Sequence, residues 1–151
     1  RQMCIRDRFL TNKIKNMIVE NPDIINKQKK DIIYVISPFK NVAYQLSKEL
    51  NKIEFTRYDK KGKPTNIGTV HTFQGKEAPI VFFVLGADKK CIGAANWAVG
   101  TDNPNIMNVA VTRAKEEFYI IGDKEMYLSL NSDVINDTCK IIEKHNMNTS
   151  L

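Results

Sequence analysis

Residues able to handle phosphate gather in two short segments of this 151-residue chain. One runs Thr69-Val70-His71-Thr72-Phe73-Gln74-Gly75-Lys76-Glu77 and the other Asn108-Val109-Ala110-Val111-Thr112-Arg113-Ala114-Lys115, each beside an apolar run. A cation and hydrogen-bonding side chains next to a buried strand exceed what core packing requires, and they suit an anionic oxygen. In the first segment Gln74 and Lys76 can donate to phosphate oxygen, Gly75 lets a backbone or ligand approach closely, and Glu77 can accept from a ribose hydroxyl or hold a basic residue. The same residues also read as a capped loop with surface charges. Thr69 continues a strand in this reading, and Gln74 to Glu77 turn at its carboxyl end, the edge where open α/β sheets bind ligands.

A helix from Asn105 to Lys115 places Asn108, Thr112 and Lys115 on one polar seam, with Ile106, Met107, Val109, Ala110, Val111 and Ala114 over the rest of its surface. Arg113 departs from the seam and shares a stripe with Ile106, Val109 and Ala110, where an unpaired guanidinium is costly. It must reach a phosphate, a carboxylate such as Asp123, or the surface. A third group, Ser37-Pro38-Phe39-Lys40, offers a hydroxyl, a ring and an ammonium ahead of a helix N-terminus. That combination suits a nucleic-acid backbone with a base stacked nearby, and equally an ordinary strand-to-helix turn. His71 alone argues for no catalysis, and with His145 its only companion no metal site is expected.

The elements that must hold these groups follow from periodicity. Phe9 to Glu20 has helical spacing and stops before Asn21-Pro22. Asp31 to Ser37 is a β-branched run of the kind buried on both faces of a parallel sheet, closed by Pro38. Val42, Ala43, Leu46 and Leu50 mark an amphipathic helix to about Lys52. A short strand is predicted over Ile53 to Tyr58, a polar turn over Asp59 to Asn66, and strands at Ile67 to Val70, Ile80 to Leu85 and Phe118 to Ile121. The loop Gly86 to Pro104, with Trp97, is long enough to be functional or locally folded; Trp97 either packs into the domain or stacks on a base. One or two helices are predicted over Lys124 to His145. Strands alternating with helices imply an α/β fold with a largely parallel sheet.

Composition narrows the class. Hydrophobic residues make up 42% and charged residues 26%, as in an ordinary globular domain, which excludes a disordered or collagen-like chain. The net charge of +6 favours a polyanionic partner, although runs such as Lys27–Lys30 and Lys60–Lys63 also read as solvated faces. Cys4, Cys91 and Cys139 are scattered, so neither a disulfide framework nor zinc is indicated, and a reducing, cytoplasmic setting is expected. No apolar stretch approaches bilayer length, so no membrane partner is expected. Residues 1–8 resemble translated adapter sequence and are expected to be non-native or disordered. The predicted organisation is then a helix and linker over 9–30 from an upstream lobe, the main domain over 31–130, and a C-terminal helix and tail over 131–151.

Together these segments resemble the second RecA-like lobe of superfamily 1 helicases, nearest the Upf1-like branch. In that family a strand ends in Ser/Thr-Pro-Tyr/Phe, followed by Thr-Val-x-x-Phe-Gln-Gly-Lys/Arg-Glu, then by Asn-Val-Ala-x-Thr-Arg-Ala-Lys/Arg and a strand closing in Gly-Asp. Here these are Ser37-Pro38-Phe39, Thr69 to Glu77, Asn108 to Lys115 and Gly122-Asp123, in the same order from about Ile32 to Asp123.

The resemblance implies a RecA-like, P-loop NTPase-type sheet flanked by helices. It implies that Arg113 is the arginine finger facing the γ-phosphate of ATP, with Gln74, Gly75, Lys76 and Glu77 near the nucleotide. Ser37, Pro38, Phe39, Lys40, His71 and Thr72 would face single-stranded DNA or RNA, and Asn108, Thr112 and Gln74 would couple the two sites. The chain lacks G-x-x-x-x-G-K-[ST], an Asp-Glu metal-binding strand and a Gln-Tyr-Arg-Met-His-Pro-like segment ahead of Ser37. ATP and Mg²⁺ would therefore be bound mainly by an N-terminal RecA-like lobe, and this chain alone is expected to be inactive. The alternatives are a nucleic-acid-binding module without ATPase function and a scaffold lobe.

Overall fold

The computed structural model describes residues 5–85 and 104–122. Asp123, Trp97, the loop before residue 104, the three cysteines and the predicted C-terminal helices lie outside the described residues. The chain runs α1 (Ile5–Glu20), a 3₁₀ turn (Pro22–Ile25), β1 (Ile33–Ile36), α2 (Lys40–Asn51), β2 (Ile67–Gly68), a second 3₁₀ turn (Val70–Phe73), β3 (Ala78–Val84), α3 (Pro104–Thr112) and β4 (Ala114–Ile121). Among the described residues the strands form one sheet in the order β2-β1-β3-β4, with every pairing parallel.

Both faces of this sheet are covered, which is why the central strands are apolar throughout instead of alternating with polar residues. Alternation sorts their side chains between two layers. Ile33, Val35, Phe82 and Val84 meet Leu10 and Ile14 of α1 and Leu46 and Leu50 of α2. Tyr34, Ile36, Val81 and Phe83 meet Val70, Phe73 and, from α3, Met107 and Ala110. Each large side chain so buried contributes about 1.5–3 kcal/mol. Aromatic stacking ties β3 to β4 on both faces, with Phe82 and Tyr119 centroids 5.0 Å apart and those of Phe83 and Phe118 6.2 Å apart. The Tyr119 hydroxyl donates to Glu117 at 2.6 Å, and burial, reinforced by that carboxylate, pushes its pKa up to about 12. The result is an α/β architecture of the RecA-like, P-loop type.

Several elements differ from the sequence prediction. Helix α1 starts at Ile5 instead of Phe9, and Asp7 is buried beside Arg6 at 2.7 Å. Ile53 to Tyr58 is not a strand. Glu54 sits at φ 63°, and the backbone that follows bonds to a side chain: Asn66 donates to the Phe55 carbonyl and accepts from the Arg57 N–H, both at 2.9 Å. Strand β2 is shorter than predicted because Val70 and Phe73 turn onto the sheet face and are buried there. The helix predicted to Lys115 ends at Thr112, because the Arg113 carbonyl accepts from Ala78 at 3.0 Å and Ala114 pairs with Ala78. Lys115 therefore lies on β4, not on a helical seam, and Val111 is exposed.

Candidate functional site

The parallel sheet divides the candidate residues between its two edges. Ser37 to Lys40 leave β1 at the carboxyl edge, and Thr69, His71 and Thr72 leave β2 at the same edge, since Ile36 pairs with Gly68. Gln74 to Glu77 instead lead into Ala78, the first residue of β3, and Arg113 precedes Ala114, its partner on β4. These residues therefore occupy the amino edge, and the turn predicted at a strand's carboxyl end sits at the start of the next strand.

At the amino edge, Arg113 and the Gln74–Glu77 turn are joined directly. The Arg113 Nη1 donates to the Phe73 carbonyl at 3.3 Å, which also accepts the Lys76 N–H at 3.0 Å. Nη2 donates to the Thr112 hydroxyl at 3.3 Å, and that hydroxyl donates to the Val109 carbonyl at 2.9 Å. Thr112 thus touches the candidate arginine, whereas Asn108 is exposed on α3. Nε of Arg113 is buried without a hydrogen-bond partner, so the guanidinium is incompletely satisfied within the described residues. Gln74, Gly75, Lys76 and Glu77 are all exposed around it. Gly75 adopts φ 74° with open space where a Cβ would stand, so its requirement is conformational and no protein atom crowds it.

The same edge holds a network that the sequence reading missed. Arg57 lies 3.1 Å from Asp31 and donates to the carbonyls of Lys29 and Asn26 at 2.6 and 2.8 Å, closing the α1–β1 connection. Burial raises the Asp31 pKa, and the opposing charges of Arg57, Lys76 and Lys27 only partly offset it. No periodicity could have paired residues this far apart in sequence.

At the carboxyl edge, Pro38, Lys40, His71, Thr72 and, from α3, Ile106 line one groove of about 610 Å³. Ser37 is fully buried and its hydroxyl accepts the Phe39 N–H at 3.2 Å, so it shapes the turn without opening on the groove. Phe39 is half-buried against the core. Helix α2 starts here with Lys40, with no side-chain cap and no acidic residue in its first turn. This runs against what helix stability alone favours and leaves the helix end open to an anion. Gly68 is required by the same turn, since a Cβ there would meet Thr72 Oγ1 at 2.5 Å.

The described residues hold no cluster of three His, Cys, Asp or Glu suited to a metal, and no helix among them is long and apolar enough to cross a membrane. A parallel α/β sheet with a cationic turn at one edge and a lysine-bearing groove at the other places the chain in the α/β class with a RecA-like, P-loop type fold. Residues 9–125 match the family model described as an AAA domain, and the chain belongs to that family, which is found in Upf1-like superfamily 1 helicases. None of the curated proteins matches it.

Proposed function

We propose that this chain is the C-terminal motor lobe of an ATP-dependent superfamily 1 DNA or RNA helicase. One observation carries the reading: the single connection from β2 to β3 supplies both candidate sites. His71 and Thr72 reach the carboxyl-edge groove, Phe73 is buried in the core, and its carbonyl receives Arg113 beside the exposed Gln74–Glu77 turn. A displacement of the strand in the groove would be felt at Arg113 through a segment anchored by one ring.

In this reading ATP is the substrate and sits mainly on a first RecA-like lobe, which also holds Mg²⁺. The donors on this chain fit its anionic tail: Arg113, with its unsatisfied buried Nε, and the exposed Lys76 and Gln74 can all donate. Arg113 would offset charge developing on the transferred phosphoryl group, Lys76 would add to that field, and Glu77 would accept from ribose. Thr112 would hold the guanidinium orientation, and Asn108 would face the partner lobe. The nucleic-acid track would be formed by Pro38, Lys40, His71 and Thr72, with Ser37 and Phe39 shaping its wall. The reading places the protein in the cytoplasm and predicts no turnover by this chain alone.

The deciding experiment is ATPase activity of the chain joined to a homologous first lobe, with and without single-stranded DNA and RNA. Nucleic-acid-stimulated turnover supports the motor-lobe reading. Tight, salt-dependent strand binding that is indifferent to nucleotide and yields no turnover would replace it with a binding module.

A further inference from the structure

Three residues that none of the sequence motifs contains help to line the carboxyl-edge groove. Tyr44, one turn into α2, is 59% exposed and lines the groove beside Lys40. Lys63 and Pro64, on the polar turn before β2, line it as well.

That turn is ordered by its own backbone. Tyr58 and Pro64 form an antiparallel bridge, Asp59 N–H donates to the Lys63 carbonyl at 2.9 Å, and Gly62 takes φ 78°. The Asp59 carboxylate accepts the N–H groups of Lys61 and Lys63, both at 2.9 Å, so it is turned inward on the loop. Lys60, Lys61 and Lys63 are left exposed on a pre-shaped turn. On α2 the Lys48 ammonium sits 4.5 Å from the Tyr44 ring centroid. Among the described residues, the lining includes lysines and no carboxylate.

We propose that Lys63 and Tyr44 extend the single-stranded nucleic-acid track beyond the motif residues, Lys63 contacting a backbone phosphate and the Tyr44 ring packing against a base. The inference rests on the helicase-lobe reading and extends it to residues outside the family's motifs. A strand fits this groove better than an acidic peptide does. The lining alternates cations with flat apolar surface, Pro38, Tyr44 and Pro64, and a base offers a planar face to such surface while its phosphate meets the lysines.

The test is fluorescence anisotropy of labelled oligothymidine and oligouridine on the full chain, across a salt series. Lys15, exposed on α1, provides a charge-matched control as Lys15→Glu. Lys63→Glu is expected to weaken binding at least about fivefold relative to that control, and Lys63→Ala to reduce the log–log salt slope by about 0.7. Tyr44→Ala is expected to weaken binding about tenfold with little change in slope, and Tyr44→Phe to retain it. If the wild-type chain binds and the Lys63 and Tyr44 variants all match Lys15→Glu within about twofold, this inference is overturned and the motor-lobe reading stands. If the wild-type chain binds neither strand at low salt, both fall.

Discussion

Arg113 is fastened to Phe73: its Nη1 donates to the Phe73 carbonyl at 3.3 Å, while the Phe73 ring is fully buried 4.6 Å from Tyr34. The side chain with the sharpest functional assignment is thus held by the one residue that separates the groove residues His71 and Thr72 from the exposed Gln74–Glu77 turn. In the two-lobed enzyme, Arg113→Ala is expected to lower nucleic-acid-stimulated turnover by about 10³ to 10⁵. Arg113→Lys should fail similarly, because an ammonium lacks the planar fork that serves two acceptors at once. Stability should fall by only about 1 kcal/mol in urea denaturation, since the Phe73 carbonyl keeps the Lys76 N–H. Turnover that survives either substitution removes the arginine-finger assignment.

Gly68 predicts a coupling between β2 and the turn after it. A Cβ at this position would stand 2.5 Å from Thr72 Oγ1 and 2.9 Å from Thr72 Cβ. Gly68→Ala should cost about 1–3 kcal/mol through this overlap. In a double-mutant cycle with Thr72→Gly, the two substitutions should be less costly together than the sum of their separate effects. Strict additivity in the denaturation midpoints would mean that the turn relaxes without strain.

Two positions in left-handed backbone predict opposite responses. Glu54, exposed at φ 63°, bears the penalty of a side chain in that region, so Glu54→Gly should stabilise the fold by roughly 0.5–1 kcal/mol. Gly75, at φ 74° with open space above it, should tolerate Asn better than Ala, with Gly75→Ala costing about 1 kcal/mol. Chemical denaturation of the three variants against wild type checks both signs.

Asp31 predicts a pH dependence. Burial is the largest influence on its carboxyl and raises the folded pKa above 3.8, against the pull of Arg57. Its Oδ1, although 3.1 Å from the Arg57 Nε, lacks a well-aligned hydrogen bond, which is why the pairing does not win. A carboxyl with a raised folded pKa binds more protons folded than unfolded, so its contribution to stability is fully present below the unfolded pKa and is lost as pH rises through the folded one. Asp31→Asn should flatten that part of the stability profile above pH 3.8. Equal slopes for wild type and variant between acid and neutral pH would contradict the assignment.

The apolar runs Ile32 to Ile36 and Ile80 to Leu85, and the Val42–Ala43–Leu46–Leu50 stripe, determined a buried parallel sheet and a helix against it, because burial on both faces needs apolar residues at every strand position. The motif residues were legible in the same local way, as cations and donors in excess of core needs. The helix end was not: only the pairing of Ala114 with Ala78 pulls the chain out of α3 at Thr112 and sets Arg113 beside Phe73. Nor could periodicity show that the Asn66 side chain, by occupying the backbone groups of Phe55 and Arg57, prevents a strand there. Sequence determined which segments bury and which side chains could bind anions. Tertiary structure decided which edge each group occupies and that Lys63 and Tyr44 line one groove, because those relations depend on contacts between segments distant in the chain, and local patterns carry no information about them.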